Sequence, residues 1–352
     1  MRGIKLLSTL TLAAALAGCE SPSGSGGPLA ELPRPLTSSE ERIIQASNHF
    51  AFGLLREASR RDSLDNFFIS PLSASMALGM TMNGARGETF EGMRSTLGFG
   101  AMEPAEINAA YRGLIDLLLG LDDGVDLRLA NSIWVDQEFP LHDAFVKSSQ
   151  ESFGARTSAL DFSSPATLGT INGWVDESTN GKITKIMDSL DPGVVMYLIN
   201  AVYFKGTWTQ QFDAKRTREA PFRRADGTEQ RVRMMELPGA KIRALTTPDV
   251  QIVDLPYGRE AFSMTLVLPR EGRDLEEWAG TLTDAQWQSW MGQLQERELD
   301  VYIPRFRLEY EQMLNETLKA LGMEIAFGEG ADFSGMSPRG GDLYIDKVKQ
   351  KT

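Results

Sequence analysis

Ile43, Ala46, Phe50 and Leu54 recur three or four residues apart behind Glu40 and Glu41. This spacing predicts an amphipathic surface helix, capped by the hydroxyl of Ser38 or Ser39 and running to about 59. Phe67-Phe68-Ile69 reads as a short buried strand. Ser70-Pro71 then supplies a hydroxyl cap and a first-turn proline for a helix carrying Met76, Leu78 and Met80; being apolar on most sides, it is expected to lie centrally. Two short helices are predicted over 89–97 and 105–119. Val125, Leu127, Leu129, Asn131, Ile133 and Val135 alternate at a period of two, which is a strand. A helix over 142–152, a strand over 159–162 and a helix over 165–179 follow. The nearly continuous apolar run 194–204 predicts a strand buried on both faces.

Strands dominate the second half. A hairpin turns about Asp226-Gly227 within 222–235, and 251–255 pairs with 262–268. A helical stretch over 275–294, in two pieces, interrupts them. Strands resume over 299–303 and 306–310, a helix over 312–321 stops at Gly322, and 343–348 alternates again. Helices early, strands late and no βαβ rhythm give an α+β class with large mixed or antiparallel sheets. No internal repeat or linker divides the body.

The N-terminus has a different pattern. Arg2 and Lys5 precede an apolar run over 6–16, too short to span a bilayer but built like a secretory signal peptide. It ends in Leu16-Ala17-Gly18-Cys19, which resembles a bacterial lipobox, in which the thiol takes lipid and becomes the mature N-terminus. The expected division is a lipoprotein signal peptide over 1–18, a flexible Ser/Gly/Pro tether over 19–38 and one domain over 39–352. The anchor is the expected contact with a membrane, placing the body outside the cytoplasm, on the bacterial envelope or in the extracellular space.

Charge and composition narrow the function. The 48 acidic residues outweigh 36 basic ones, for a net charge of -12, and no basic block stands out in the sequence, so nucleic acid is not an expected partner. One cysteine and two histidines leave little material for a zinc site or disulfides. Gly-x-Ser-x-Gly, His-Glu-x-x-His, Walker and Gly-x-Gly-x-x-Gly patterns are all missing. His49 is expected to pack beside the first helix's apolar face and His142 to cap a helix, neither acting as a base. Asp122, Asp123 and Asp126 form a solvated turn without the bidentate Glu of a calcium loop. No catalytic residue, metal or cofactor is expected.

A series of segments then resembles the serpin family. They are Asn66-Phe67-Phe68-Ile69-Ser70-Pro71-Leu72-Ser73, Asn83-Gly84-Ala85-Arg86-Gly87-Glu88-Thr89, Ile171-Asn172-Gly173-Trp174 with Thr179-Asn180-Gly181-Lys182, and Leu198-Ile199-Asn200-Ala201-Val202-Tyr203-Phe204-Lys205-Gly206-Thr207-Trp208. Leu255-Pro256-Tyr257, Ile303-Pro304-Arg305-Phe306, Leu321-Gly322-Met323 and Ala331-Asp332-Phe333-Ser334-Gly335-Met336 continue it in family order. The resemblance implies a large central β-sheet, two further sheets and about eight to nine helices. It also implies a monomer that traps a serine or cysteine protease: an exposed loop is acylated and inserts into the central sheet as a new strand, so the native state is metastable.

By the same resemblance Ser70, Ser73, Asn200 and Gln350 form the shutter beneath the opening sheet, and Trp208 marks the breach where the loop first inserts. Gln350 stands where the family has a histidine bonded to the shutter asparagine; an amide can keep such a bond but cannot titrate. The 105–119 helix, with Arg112 and Asp116, lacks a basic face for sulfated polysaccharide. The sequence stops at Thr352, where the family continues with hinge, reactive loop and closing strands; the reactive-site bond and the C-terminal part of the fold are therefore expected outside it. A non-inhibitory serpin acting as carrier or chaperone, or an envelope lipoprotein binding something else, stays open as an alternative.

Overall fold

The structure is a computed structural model and describes residues 27–29, 31–61, 66–191, 193–224 and 226–352. The lipobox cysteine, Cys19, the signal peptide and residues 20–26 and 30 of the tether lie outside the described residues. Its helices are α1 (Ser38–Ser59), α2 (Pro71–Met82), α3 (Gly87–Thr96), α4 (Pro104–Leu119), α5 (Asp143–Phe153), α6 (Pro165–Ser178), α7 (Leu275–Ala279), α8 (Asp284–Gln293) and α9 (Asn315–Leu318). Its strands are β1 (Val125–Asp136), β2 (Arg156–Leu160), β3 (Met196–Gly206), β4 (Arg218–Arg223), β5 (Glu229–Thr246), β6 (Val250–Tyr257), β7 (Phe262–Pro269), β8 (Gln295–Pro304), β9 (Glu311–Met313) and β10 (Lys349–Lys351). The expected α+β class holds, with nine α-helices and three sheets among the described residues.

Two of those sheets flank α2. One runs β2-β1-β3, parallel then antiparallel; the other is the short antiparallel pair β10-β9. The largest sheet runs β4-β5-β6-β7 with β8 also on β5. A bulge between Leu237 and Ala240, with Gly239 at φ 60°, bends β5 so that its first half pairs with β4 and its second with β6. The main core gathers α1, α2, α4 and α5 around Phe50, Met76, Met80, Tyr111 and Phe153. A second cluster joins β5, β6 and β8 around Trp208.

Local chemistry explains the elements and corrects several expectations. The α1 cap is Thr37, one residue before Ser38: its hydroxyl accepts from Glu40 N, and the Glu40 carboxylate accepts from Thr37 N at 2.8 Å. Arg34 grips that carboxylate at 2.6 Å and the Gly113 carbonyl at 2.8 Å, tying the chain ahead of α1 to α4. Residues 67–69 form no strand; Phe68 is exposed, and the segment is held by side chains, with the Thr352 hydroxyl on the Phe68 carbonyl at 2.6 Å. Residues 306–310 and 343–348 are likewise irregular, the ladder beginning just beyond each at β9 and β10. β3 is not buried on both faces: Ile199, Ala201 and Tyr203 are buried, whereas Leu198, Asn200 and Val202 are partly exposed, because β3 ends its sheet.

Candidate functional site

α2 is the floor of the site. Ser70 caps it, accepting from Ser73 N at 3.4 Å, and Pro71 occupies the first turn, where a missing N–H costs nothing. The helix is buried on most sides because β3, α1, α3 and α5 pack against it and α4 adds the Tyr111 side chain. Gly79 lets the Tyr111 ring approach to where a Cβ would sit 3.1 Å away, and the Tyr111 hydroxyl shares a 2.6 Å bond with Ser75. Burial raises the Tyr111 phenol well above its ordinary value, so it remains a neutral structural group.

β10 is fastened to the start of this floor by one amide. Gln350, 7% exposed, donates Nε2 to the Ser70 carbonyl at 2.8 Å and accepts from Ser70 N at 2.9 Å. A primary amide matches the peptide group on both sides, which a single imidazole cannot do for one residue. The resemblance implied that Gln350 meets Asn200; the structure instead pairs Gln350 with Ser70. Ser73 takes part through its backbone N–H.

Asn200 meets the floor farther along. Its Nδ2 donates to Asn131 Oδ1 at 2.8 Å and lies 3.8 Å from the Met76 sulfur, while Asn131, directly opposite on β1, donates to the Phe153 carbonyl at 2.7 Å. The Asn200 Oδ1 is buried and finds no donor among the described residues. Such an orphan acceptor costs about 1–3 kcal/mol. Met76 and Ser70 are six positions apart, about 9 Å along the helix. β3 and β10 thus rest on the same helix at separate points, and no backbone hydrogen bond joins them among the described residues. The side-chain bonds nearby, Lys347 with Asp191 at 2.6 Å and Lys351 donating to the Lys185 carbonyl at 2.9 Å, tie β10 and the residues before it to the segment ahead of β3 rather than to β3 itself.

Trp208 lies just beyond the end of β3, eight residues past Asn200 and about 26 Å from it at strand rise. It stacks on Tyr257 with ring centroids 4.2 Å apart and bridges it through the backbone. Gly206 makes the stack possible, because a Cβ there would fall 2.6 Å from the Tyr257 ring. Burial raises the Tyr257 phenol.

The structure therefore brings Ser70, Ser73 and Gln350 together, holds Asn200 over the same helix through different partners, and sets Trp208 apart. Sequence reasoning missed Asn131 as the partner of Asn200, although an asparagine on the apolar side of an alternating strand was a visible signal. His49 is exposed rather than packed, and His142 occupies the α5 cap position without a side-chain cap bond. Asp122 is not solvated: it is buried and accepts from Gly124 N and Arg259 N, closing a turn. Among the described residues no group of three or more His, Cys, Asp or Glu side chains could hold a metal ion, and no helix is long and apolar enough to cross a membrane.

A family profile described as "Serpin (serine protease inhibitor)" matches residues 45–352. Human Serpin B11 is 33% identical over 333 residues, covering 88% of this chain and 85% of its own length. The leukocyte elastase inhibitor of Sus scrofa is 33% identical over 325 residues, with 88% and 84% covered. Among solved structures, the thermophilic serpin tengpin in its latent state matches with a TM-score of 0.81 at 30% identity, over 90% of this chain and 85% of that one.

Proposed function

The chain belongs to the serpin family and is not an enzyme, and from that premise we propose that it traps a serine or cysteine protease by inserting its own reactive loop as a new strand. A loop continuing from β10 is the bait. The protease nucleophile attacks its scissile carbonyl, the C–N bond breaks with the amine side leaving, and an ester or thioester joins protease to loop. The freed loop then enters between β3 and β10 over α2. One observation carries this function: among the described residues the outer edge of β3, an 11-residue strand, has no strand partner, and β10, fastened to Ser70 at the start of the same helix, makes no backbone hydrogen bond to it.

An added strand would hydrogen-bond that edge. At about 1 kcal/mol net per bond, ten bonds amount to about 10 kcal/mol before any packing, enough to drag and deform an attached protease. The orphan Oδ1 of Asn200, on the strand that would border the insert, would gain access to a donor. The Gln350–Ser70 and Asn200–Asn131 bonds are side-chain bonds rather than ladder bonds, so they can exchange as the edges part. The similarity to an elastase inhibitor favours inhibition over carriage. As part of the same proposal, Cys19 carries lipid and the segment ahead of Arg34 tethers a monomeric body outside the cytoplasm, Arg34, Thr37 and Ser38 being already part of that body.

The protein carried through the reactive loop expected beyond Thr352 should, on incubation with an active serine protease, give an SDS-stable complex, and loop cleavage should raise its melting temperature. Cleavage with neither outcome refutes inhibition by strand insertion.

A further inference from the structure

Three arginines of this acidic chain converge on one face of the largest sheet. Arg231-Val232-Arg233 lies in β5 and Arg305-Phe306-Arg307 follows β8, far away in sequence. Arg233 stands opposite Glu219 of β4 and Arg231 opposite Pro221. On the other side of β5, Met235 faces Ile303 and Met234 faces Pro304, and the Arg305 N–H extends this ladder to the Arg233 carbonyl at 2.8 Å. Residues directly opposite share a face, as do residues two apart, so Arg231, Arg233 and Arg305 stand together with backbones about 5–7 Å apart. All three are exposed.

These cations are not used up locally. The Glu236 carboxylate is taken by Arg216 and Arg218, Arg307 pairs with Glu309, and Arg231 donates to the Glu219 carbonyl. Among the described residues no ion pair engages Arg231, Arg233 or Arg305. One two-residue step along the same face, Met235 and Ile303 pack in the cluster that seats Trp208. The cationic row thus abuts the breach residue, on a molecule whose net charge is -12.

Guanidinium forks match carboxylates in pairs. Glu219 at one end of the row, and Glu229 opposite Arg223, would repel a continuous anionic surface such as a lipid leaflet or sulfated chain. A folded protein can instead place separate carboxylates between them. We propose that this face is a docking surface for a protein partner with an acidic contact region. That the partner is a protease rests on the inhibitory function above; the face would then favour proteases with carboxylates beside the active-site cleft and speed their encounter.

Anionic and cationic trypsin serve as probes, each active for trapping rates and with the active-site serine replaced by alanine for equilibrium binding. The protein should associate about tenfold faster with the anionic form at low ionic strength, the preference fading as salt rises. R233E/R305E should abolish or invert it, and the neutral R233Q/R305Q should lose it with an unchanged melting temperature. If active trypsin cleaves the loop without being trapped, the inhibitory function fails, while preferential binding of the inert anionic form would still sustain the docking surface. Equal binding of both inert forms, or indifference to the Arg233 and Arg305 changes, overturns the proposal. So does arginine-dependent binding of heparin or phosphatidylglycerol vesicles without binding of anionic trypsin.

Discussion

Gln350→Ala removes the one side chain that fastens β10 to α2. Two hydrogen bonds to the Ser70 peptide are lost at about 1 kcal/mol each, and the Ser70 N–H and C=O are left without that partner in a site where Gln350 is only 7% exposed. The expected loss is about 2–4 kcal/mol, or roughly 4–10 °C in melting temperature. Amide exchange should quicken at Ser70 and through β10. Gln350→Glu adds a second reading. Its ionised carboxyl still accepts from Ser70 N but sets an oxygen against the Ser70 carbonyl, so only the neutral form reproduces the native pair. The introduced group therefore has a folded pKa above its unfolded value near 4.3. The deficit relative to the parent is largest above the folded pKa and shrinks as pH falls through it. Thermal melts of parent and both variants between pH 5 and pH 8 decide the matter. A Gln350→Ala protein melting within about 1 °C of the parent, with unchanged exchange at Ser70, would refute the fastening role.

Asn200→Ala should cost about 1–3 kcal/mol by leaving Asn131 Oδ1 without its donor, and raise polymerisation on warming as followed by light scattering; an unchanged melt and a stable monomer would count against it. Arg34 holds the buried Glu40 carboxyl at about 2, against an ordinary 4.5. Because the folded value lies below the unfolded one, this stabilisation is full above about pH 5 and is lost as pH falls toward 2; it amounts to at most about 3 kcal/mol, less for screening of the 39% exposed Arg34. Arg34→Ala should accordingly flatten the acid limb of the stability curve. Gly206→Ala should displace Tyr257 from Trp208, shifting tryptophan fluorescence and costing about 1–3 kcal/mol. Labelled fatty acid should enter the parent and not Cys19→Ala; equal labelling would remove the anchor from the proposal.

Much was determined by the sequence alone, because local chemistry acts between near neighbours. The apolar stripe of α1, the Ser70-Pro71 start of α2, the alternation of β1 and the Asp226-Gly227 turn each depend on residues within a few positions, and the serpin resemblance followed from their order. The helix expected over 312–321 is instead β9 and the short α9, and Gly322 at φ 110° kinks the helical run, which continues to Phe327. Tertiary structure decided what depends on distant partners. Residues 67–69 have the composition of a strand, but the Thr352 hydroxyl takes the Phe68 carbonyl and the Gln350 amide takes the adjoining Ser70 peptide, so no ladder forms. Asn200 could have answered Gln350, yet strand register places it opposite Asn131, and Gln350 finds a whole peptide group at Ser70. His49 lies beside an apolar stripe and still points to water, since helical period alone does not fix where the stripe's edge is covered. The arginines of β5 and those after β8 look scattered along an acidic chain; only the pairing of β5 with β8 sets them on one face, because sheet register joins residues that sequence keeps apart.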